Sequence, residues 1–193
     1  MGLDLGIQHF ATLSTGEQMP GPRAYRTAMR QLRVAQRRVS RRQKGSHRQQ
    51  KAQLLLARQH QRIQNLRHDH AHKLTRRLVS EFGLIAIEDL NIRGLARGFL
   101  ATQVTDQGWA AFLTVLEYKA AEAGTRLIRV PPGGTSQTCS GCAVVVPKLL
   151  SERIHQCPAC GLVIDRDTNA ARNILRLGLS RQASTWPTGA WVA

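Results

Sequence analysis

Two cysteine pairs, Cys-Ser-Gly-Cys at 139–142 and Cys-Pro-Ala-Cys at 157–160, stand shortly before Asp-Arg-Asp-Thr-Asn-Ala-Ala at 165–171. All four cysteines of the chain lie in this one short window, which indicates a metal site more readily than a disulfide framework. Each Cys-x-x-Cys turn presents two thiolates, and two turns can close a tetrahedron around Zn²⁺. We therefore predict a structural zinc site, with a redox pair or a lost metal site as the alternatives. Its ligands are Cys139, Cys142, Cys157 and Cys160.

Two carboxylates, Asp165 and Asp167, follow the cysteine pairs closely in the sequence. Asp167 stands at the start of a predicted helix over Thr168–Leu177, with Gly178 placed to end it. A helix dipole favours a carboxylate at this position, so Asp167 is either a functional acid or a helix cap. The sequence beyond Gly178 has no clear periodicity, and we expect a mobile tail over residues 179–193.

Two more acids stand at the ends of predicted strands. Residues 1–13 alternate between apolar and small or polar residues, which predicts two strands joined by a tight turn, with Asp4 between glycines on the first. Glu88 ends a short apolar run, Leu84–Glu88, that reads as a buried strand. Ligands of α/β sheets bind beyond the carboxyl ends of strands, which favours a role for Glu88. A carboxylate flanked by glycines, such as Asp4, can approach a ligand closely. A turn-favouring Asp4 and a surface Glu88 are the alternatives.

The remaining elements complete an α/β pattern. Thr15-Gly16 is a predicted turn into a short third strand. A helix capped by Thr105 or Asp106 carries the apolar face of Trp109, and Gly124 ends it. A further strand follows over Arg126–Val130. Strands alternating with helices indicate an α/β sheet with one main core.

Positive charge is concentrated in one segment. Between Arg23 and Arg77 there are 17 Lys or Arg residues and one acid, so this segment carries the whole net charge of +16. Its apolar spacing predicts two helices joined at Lys44-Gly45-Ser46. Such uncompensated charge suits a polyanion, because Lys and Arg release counterions from phosphates. A solvated basic face is the alternative. The predicted nucleic-acid contacts are Arg30, Arg33, Arg37, Arg38, Arg41, Arg42, Lys44, Arg48 and Lys51.

Membrane insertion and secretion are not indicated by the sequence. No apolar run approaches the ~20 residues of a membrane span, and the N-terminus lacks the features of a secretory signal. Free thiols fit a reducing compartment. We expect a cytoplasmic protein without membrane partners.

Four motifs in this order resemble one known family. They are Gly-Leu-Asp-Leu-Gly at 2–6, Ile-Glu-Asp-Leu-Asn at 87–91, Thr-Ser-Gln-Thr-Cys-Ser-Gly-Cys at 135–142 and Asp-Arg-Asp-Thr-Asn-Ala-Ala-Arg-Asn-Ile at 165–174. Over about residues 1–178 the chain resembles the C-terminal half of TnpB (OrfB) proteins, transposon-encoded RNA-guided DNA endonucleases related to type V CRISPR effectors. Family members usually carry a further N-terminal region that grips guide RNA and target DNA. We expect that region to be missing here and the first strand to be shortened at its start.

The resemblance implies an RNase H-like, RuvC-type mixed sheet with two insertions. Residues 1–134 would form the nuclease core, which includes a basic helical hairpin over 23–79. Residues 135–164 would form a zinc ribbon, and residues 165–178 the last nuclease segment and helix. Ala143 stands where the family commonly has glycine after the second cysteine.

The resemblance also implies an acidic triad of Asp4, Glu88 and Asp167. Asp167 is preferred to Asp165 because the family's acid directly precedes the x-Asn-Ala-Ala run. Carboxylate oxygens suit Mg²⁺ or Mn²⁺, and two such ions can hydrolyse a phosphodiester. The implied function is a metal-dependent DNA endonuclease domain that works with DNA and guide RNA. The alternative is a catalytically impaired remnant that binds nucleic acid only through its hairpin and ribbon.

Overall fold

A five-stranded mixed sheet forms the centre of the fold in the computed structural model, which describes residues 1–21, 25–95, 97, 107–149 and 151–185. Its strands are β1 (Gly2–Asp4), β2 (Ala11–Leu13), β3 (Gln18–Met19), β4 (Leu84–Glu88) and β5 (Arg126–Val130). They lie in the order β3-β2-β1-β4-β5. The pairs β1/β4 and β4/β5 are parallel, and β1/β2 and β2/β3 are antiparallel. The predicted α/β mixed sheet is confirmed.

Helices cover both faces of this sheet. They are α1 (Tyr25–Ser40), α2 (His47–Glu81), α3 (Ile92–Leu95), α4 (Trp109–Ala123) and α5 (Arg166–Thr185). Helices α2 and α4 pack together over one face, where Leu3, Ile85 and Ile87 join Leu78 and Phe112 in the main core. Helix α5 packs on the other face, against β1, β4 and β5. Among the described residues, no helix combines the length and the apolar run that a membrane span requires.

The central strand β1 is three residues long and is paired on both sides. Leu3 pairs with Leu13 of β2 and with Ile87 of β4, and it is fully buried. The amide of Ala86 donates to the carbonyl of Met1 at 2.7 Å, which continues the β1–β4 ladder by one residue. The strand is therefore held firmly in the middle of the sheet.

The predicted basic hairpin is α1 followed by α2, and its turn lies where the sequence places it. Gly45 has φ 81°, a left-handed conformation that glycine adopts without strain. Ser46 caps α2, and its side chain accepts a hydrogen bond from the amide of Gln49. Leu32 and Ile63 form a small core between the two helices. The predicted start of the hairpin at residue 23 lies outside the described residues.

Helix α4 begins at Trp109 after Gly108, and its buried face includes Trp109, Phe112 and Leu116, as predicted. Gly124 ends this helix with φ 69°. The caps predicted at Thr105 or Asp106 lie outside the described residues.

The predicted end of the last helix is wrong, because α5 continues through Gly178 to Thr185. A Cβ at Gly178 would lie 2.5 Å from the Cβ of Ala86, so the missing side chain lets the helix approach β4 closely. Gly2 acts likewise on β1, since a Cβ there would lie 2.0 Å from the carbonyl oxygen of Ala171. Gly178 is thus a packing position rather than a helix stop. Of the predicted mobile tail, residues 179–185 are helical and residues 186–193 lie outside the described residues.

Candidate active site and metal centre

Asp4 and Glu88 lie side by side at the same edge of the sheet. The parallel pairing aligns Gly2 with Ala86 and Leu3 with Ile87, and the next position of each strand is Asp4 and Glu88. Alternate residues of a strand point to opposite faces, so both acids share the face of Gly2 and Ala86, on which α5 packs. Neighbouring strands are ~4.8 Å apart. The pairing therefore makes the two carboxylates neighbours.

Asp167 reaches this edge from the first turn of α5. Gly2 and Gly178 let α5 lie close to the sheet, and its N-terminus stands over the strand ends. A Cβ at Gly6, just after β1, would lie 3.8 Å from Oδ2 of Asp167. Asp167 is buried. The structure therefore brings all three predicted acids, Asp4, Glu88 and Asp167, to one edge of the sheet, which we call the acid edge.

Asp165, two residues earlier, has a different task. Its Oδ1 accepts hydrogen bonds from the amides of Asp167 and Thr168, at 3.1 and 2.9 Å, and from the Thr168 hydroxyl. This is the geometry of an N-cap, which satisfies amides that have no partner within the helix. The cap is thus Asp165, which leaves the carboxylate of Asp167 for other contacts.

The electrostatics of the edge favour a bound cation. Burial raises the pKa of Asp4 well above its usual range, and the negative charges of Asp167 and Glu88 raise it further. Arg166 acts in the opposite direction, and its Nε lies 3.3 Å from Oδ1 of Asp167. Three acids with one adjacent guanidinium leave negative charge in a partly buried place. The oxygen donors and the excess negative charge fit a hard divalent cation.

The four cysteines form a tighter cluster than the three acids. In the part of the chain that the structure describes, they are the only three or more His, Cys, Asp or Glu residues whose ligand atoms all lie within 4.8 Å of one another. The Sγ atoms of Cys139 and Cys160 are 3.6 Å apart, and those of Cys142 and Cys157 are 3.5 Å apart. Tetrahedral Zn–S bonds of ~2.3 Å give S–S edges of about 3.8 Å, whereas a disulfide is ~2.05 Å long. The cluster could therefore bind a metal such as zinc.

Backbone hydrogen bonds favour the thiolate form of two of the four cysteines, Cys139 and Cys157. A hydrogen bond from the amide of Cys160, with another from Ala159, lowers the pKa of Cys157 to about 6. The amide of Gly141 likewise donates to Sγ of Cys139 at 3.4 Å. The second pair is placed between β6 (Ile154–Gln156) and β7 (Val163–Asp165), which form an antiparallel hairpin leading directly into α5. The cysteine site and Asp167 are thus consecutive in the chain.

Ala143 carries backbone strain beside the first pair. Its φ is 64°, in the left-handed region that costs a residue with a Cβ about 1 kcal/mol. We expect Ala143→Gly to raise the free energy of unfolding by up to about 1 kcal/mol. Ala159→Gly is the matched control, because Ala159 has no positive φ and should lose stability on the same change. Urea unfolding of both variants measures the difference. Equal effects would contradict the strain explanation.

The nine predicted nucleic-acid contacts are spread along α1, the turn and the start of α2. All nine side chains are exposed. None of them forms an ion pair with any other residue that the structure describes. This contrasts with Lys73 and Arg77 further along α2, which pair with Asp69 and with Glu17 and Glu81. The part of the hairpin from Arg30 to Lys51 therefore presents an uncompensated basic surface.

Three residues that support the site have no role predicted from the sequence. Thr135 donates its hydroxyl to Glu88, and Asn169 and Asn173 of α5 hold the backbone of Thr135. All three fall within the motifs at 135–142 and 165–174, so their signal was present. No spacing rule connects a threonine to an acid 47 residues earlier, and only the fold reveals the contact.

Two family models match the chain. Residues 1–98 match OrfB_IS605, described as "Probable transposase". Residues 109–174 match a model described as "Cas12f1-like, TNB domain". The first match contains Asp4 and Glu88, and the second contains Asp167 and all four cysteines.

Relatives of known name agree with these matches. A Streptomyces pristinaespiralis protein, provisionally named an RNA-guided DNA endonuclease, is 44% identical over 186 residues, which cover 95% of this chain and 46% of the relative. Escherichia coli K12 InsQ, with the same provisional name, is 32% identical over 195 residues, which cover 92% of this chain and 48% of InsQ. The chain thus spans about half the length of the curated relatives it matches.

A solved structure shares the fold. A chain from a cryo-EM structure of a Cas12f1-sgRNA-target DNA complex matches with a TM-score of 0.63 and 15% sequence identity. The match covers 90% of this chain and 48% of that chain. At this identity the likeness concerns the fold alone, and it extends over nearly the whole of this chain.

Proposed function

Because this chain belongs to the OrfB_IS605 family of probable transposases, we propose that it is the metal-dependent DNA endonuclease domain of a transposon-associated RNA-guided nuclease. The observation that carries the proposal is the meeting of three acids from distant parts of the chain. Asp4 and Glu88 are neighbours on parallel strands, and α5 brings Asp167 to them. The provisional name of both relatives, RNA-guided DNA endonuclease, supports the same conclusion.

The domain is RNase H-like, of the RuvC type. Supporting observations are the strand order β3-β2-β1-β4-β5, the short central strand that carries an acid, and the last helix across one face. Two insertions modify it. The α1–α2 hairpin lies between β3 and β4, and the cysteine-containing segment 135–164 lies between β5 and α5 as a zinc ribbon.

Asp4, Glu88 and Asp167 are the catalytic metal ligands. These carboxylates would hold two Mg²⁺ or Mn²⁺ ions, which would supply water activation and charge stabilisation for phosphodiester hydrolysis. Carboxylates spread more widely than the cysteine thiolates suit two ions better than one. The chain's own residues fix this arrangement: the β-ladder holds Asp4 beside Glu88, and the Asp165 cap sets the first turn of α5. Arg166 limits the negative charge beside Asp167.

DNA and a guide RNA are the proposed partners. The nine exposed basic residues of the hairpin supply phosphate contacts, and the names of the relatives supply the RNA-guided character.

The test is a cleavage assay with the purified chain. We expect weak nicking of single-stranded DNA with Mg²⁺ or Mn²⁺, and no nicking once EDTA removes the metal. Cleavage that persists in EDTA would refute the proposed metal-dependent mechanism.

Nucleic-acid binding without cleavage is the second candidate function, and the uncompensated basic surface of the hairpin favours it. Salt-sensitive binding with no cleavage under any divalent metal would support it over the nuclease. Detectable metal-dependent cleavage would exclude it.

Neutralising the hairpin should weaken binding to all DNA sequences alike. We expect the triple variant Arg37→Gln/Arg41→Gln/Arg42→Gln to lower the slope of log K against log salt by about 0.7 for each phosphate of single-stranded DNA that these arginines neutralise. Lys73→Gln is the matched control, because Lys73 is exposed on α2 but paired with Asp69. Fluorescence anisotropy over a salt series gives both slopes. An unchanged slope in the triple variant would show that these arginines do not contact phosphate.

A further inference from the structure

Thr135 makes a direct contact with one of the three acids. It lies in the segment that joins β5 to the first cysteine pair, and its Oγ1 donates to Oε1 of Glu88 at 2.5 Å. This is the short distance of a charge-assisted hydrogen bond between a hydroxyl and a carboxylate. Such a bond fixes the orientation of the carboxylate, because the hydroxyl engages one of its two oxygens. Thr135 leaves Oε2 available to a metal ion.

Thr135 is itself held by two buried asparagines. The Nδ2 atoms of Asn169 and Asn173 donate to the Thr135 carbonyl oxygen at 3.3 and 2.8 Å. Both also donate to the carbonyl oxygen of Thr138, at 2.8 and 2.6 Å. The asparagines are four residues apart and so lie on one face of α5. Thr135 is thereby attached to the helix that carries Asp167.

The same network reaches the cysteine site. Oδ1 of Asn169 accepts the amide hydrogen of Ser140 at 2.9 Å, and Ser140 lies inside the first Cys-x-x-Cys turn. Carbonyls only accept and amides only donate, so these partners determine the orientation of the Asn169 side chain. A continuous set of hydrogen bonds therefore runs from the first cysteine pair, through α5 and Thr135, to Glu88.

We propose that Thr135 is a positioning residue for Glu88, and that the metal-bound first cysteine pair keeps Thr135 in place. This inference rests on the proposed nuclease function, because it assigns the cysteine-containing segment a role in orienting Glu88 at the acid edge. Thr135 fixes the carboxylate orientation that divalent-metal binding requires. Partners of metal-ligating carboxylates act in this way, and removing them typically weakens metal affinity by about 10- to 100-fold.

Two substitutions distinguish the role of the Thr135 hydroxyl from that of its branched shape. Thr135→Val keeps the branched shape but removes the donor, whereas Thr135→Ser keeps the donor. Mn²⁺ affinity is measured by electron paramagnetic resonance on the full chain without nucleic acid, alongside kcat and KM for cleavage. We expect Thr135→Val to weaken Mn²⁺ binding about 10- to 100-fold and to lower kcat with little change in KM. Thr135→Ser should remain within about threefold of the parent.

Controls make the outcomes decisive. Ser136→Ala changes the adjacent hydroxyl and should leave Mn²⁺ affinity unchanged, and zinc content and thermal unfolding report whether each variant folds. Folded Thr135→Val with unaltered Mn²⁺ affinity would overturn the inference, as would equal reductions in the Val and Ser variants. Glu88→Gln distinguishes this failure from that of the proposed function. If Glu88→Gln also leaves Mn²⁺ affinity unchanged, the acid assignment itself fails, and the role of Thr135 fails with it.

Discussion

Asp4→Asn, Glu88→Gln and Asp167→Asn should each lower metal-dependent DNA cleavage by about 10²- to 10³-fold or more, because each removes a charged ligand and keeps the side-chain shape.

Asp4→Asn should at the same time raise the melting temperature of the metal-free protein. The sign follows from the raised pKa of Asp4: its ionised form is less favourable in the folded chain than in the unfolded chain. At neutral pH, removing that charge removes a destabilising contribution. Cleavage assays and thermal unfolding without metal test the two halves of the prediction.

Adjacent acids provide the controls. Asp89 follows Glu88, but its exposed carboxylate pairs with Arg129 at 2.9 Å, so Asp89→Asn should retain cleavage. Asp165→Asn should retain it too, because asparagine caps a helix about as well as aspartate. If Asp165→Asn abolished cleavage while Asp167→Asn did not, the two acids would have to exchange roles. Full activity in all three ligand variants would refute the active-site assignment.

Local sequence rules were sufficient for the elements that depend on neighbouring residues. The alternation over 1–13 predicted β1 and β2, and the apolar run Leu84–Glu88 predicted β4. The turn-favouring residues Lys44-Gly45-Ser46 predicted the break between α1 and α2, where the structure has a left-handed Gly45 and a capping Ser46. The placement of Glu88 at a strand end followed from the same pattern. These features need no knowledge of distant contacts.

The features that local rules misjudge or miss depend on contacts between distant segments. Glycine usually ends helices, so the sequence favours Gly178 as a stop. The contact with Ala86, which makes glycine necessary there, is 92 residues away in the chain. Thr135 belongs to a family motif, but its partner Glu88 lies on another strand, so the sequence alone assigns it no role. The choice of Asp167 over Asp165 rests on a family pattern, and the capping bonds of Asp165 give it a physical basis.

Removing the metal from the cysteine site should unfold the ribbon. Its two strands have three residues each, and a two-stranded hairpin alone is at best marginally stable. Val145, Ile154 and Val163 are exposed, so this segment has little apolar core of its own. Structural zinc supplies about 10–16 kcal/mol of apparent binding free energy in small zinc domains. We expect one zinc ion per chain, with Cys157→Ser or a strong chelator releasing the zinc and abolishing amide protection over residues 139–165.

The effect should reach the acid edge but leave the basic hairpin intact. Without the first cysteine turn, the amide of Ser140 no longer holds Asn169, and the support of Thr135 is weakened. Mn²⁺ affinity should therefore fall in Cys157→Ser, whereas the salt-dependent binding of DNA by α1 and α2 should persist. Ser151→Ala, at an exposed ribbon position, is the matched control and should change neither. Zinc-free protein with an ordered ribbon would contradict the structural role of the metal. A disordered ribbon with unchanged Mn²⁺ affinity would show instead that α5 alone positions the acids.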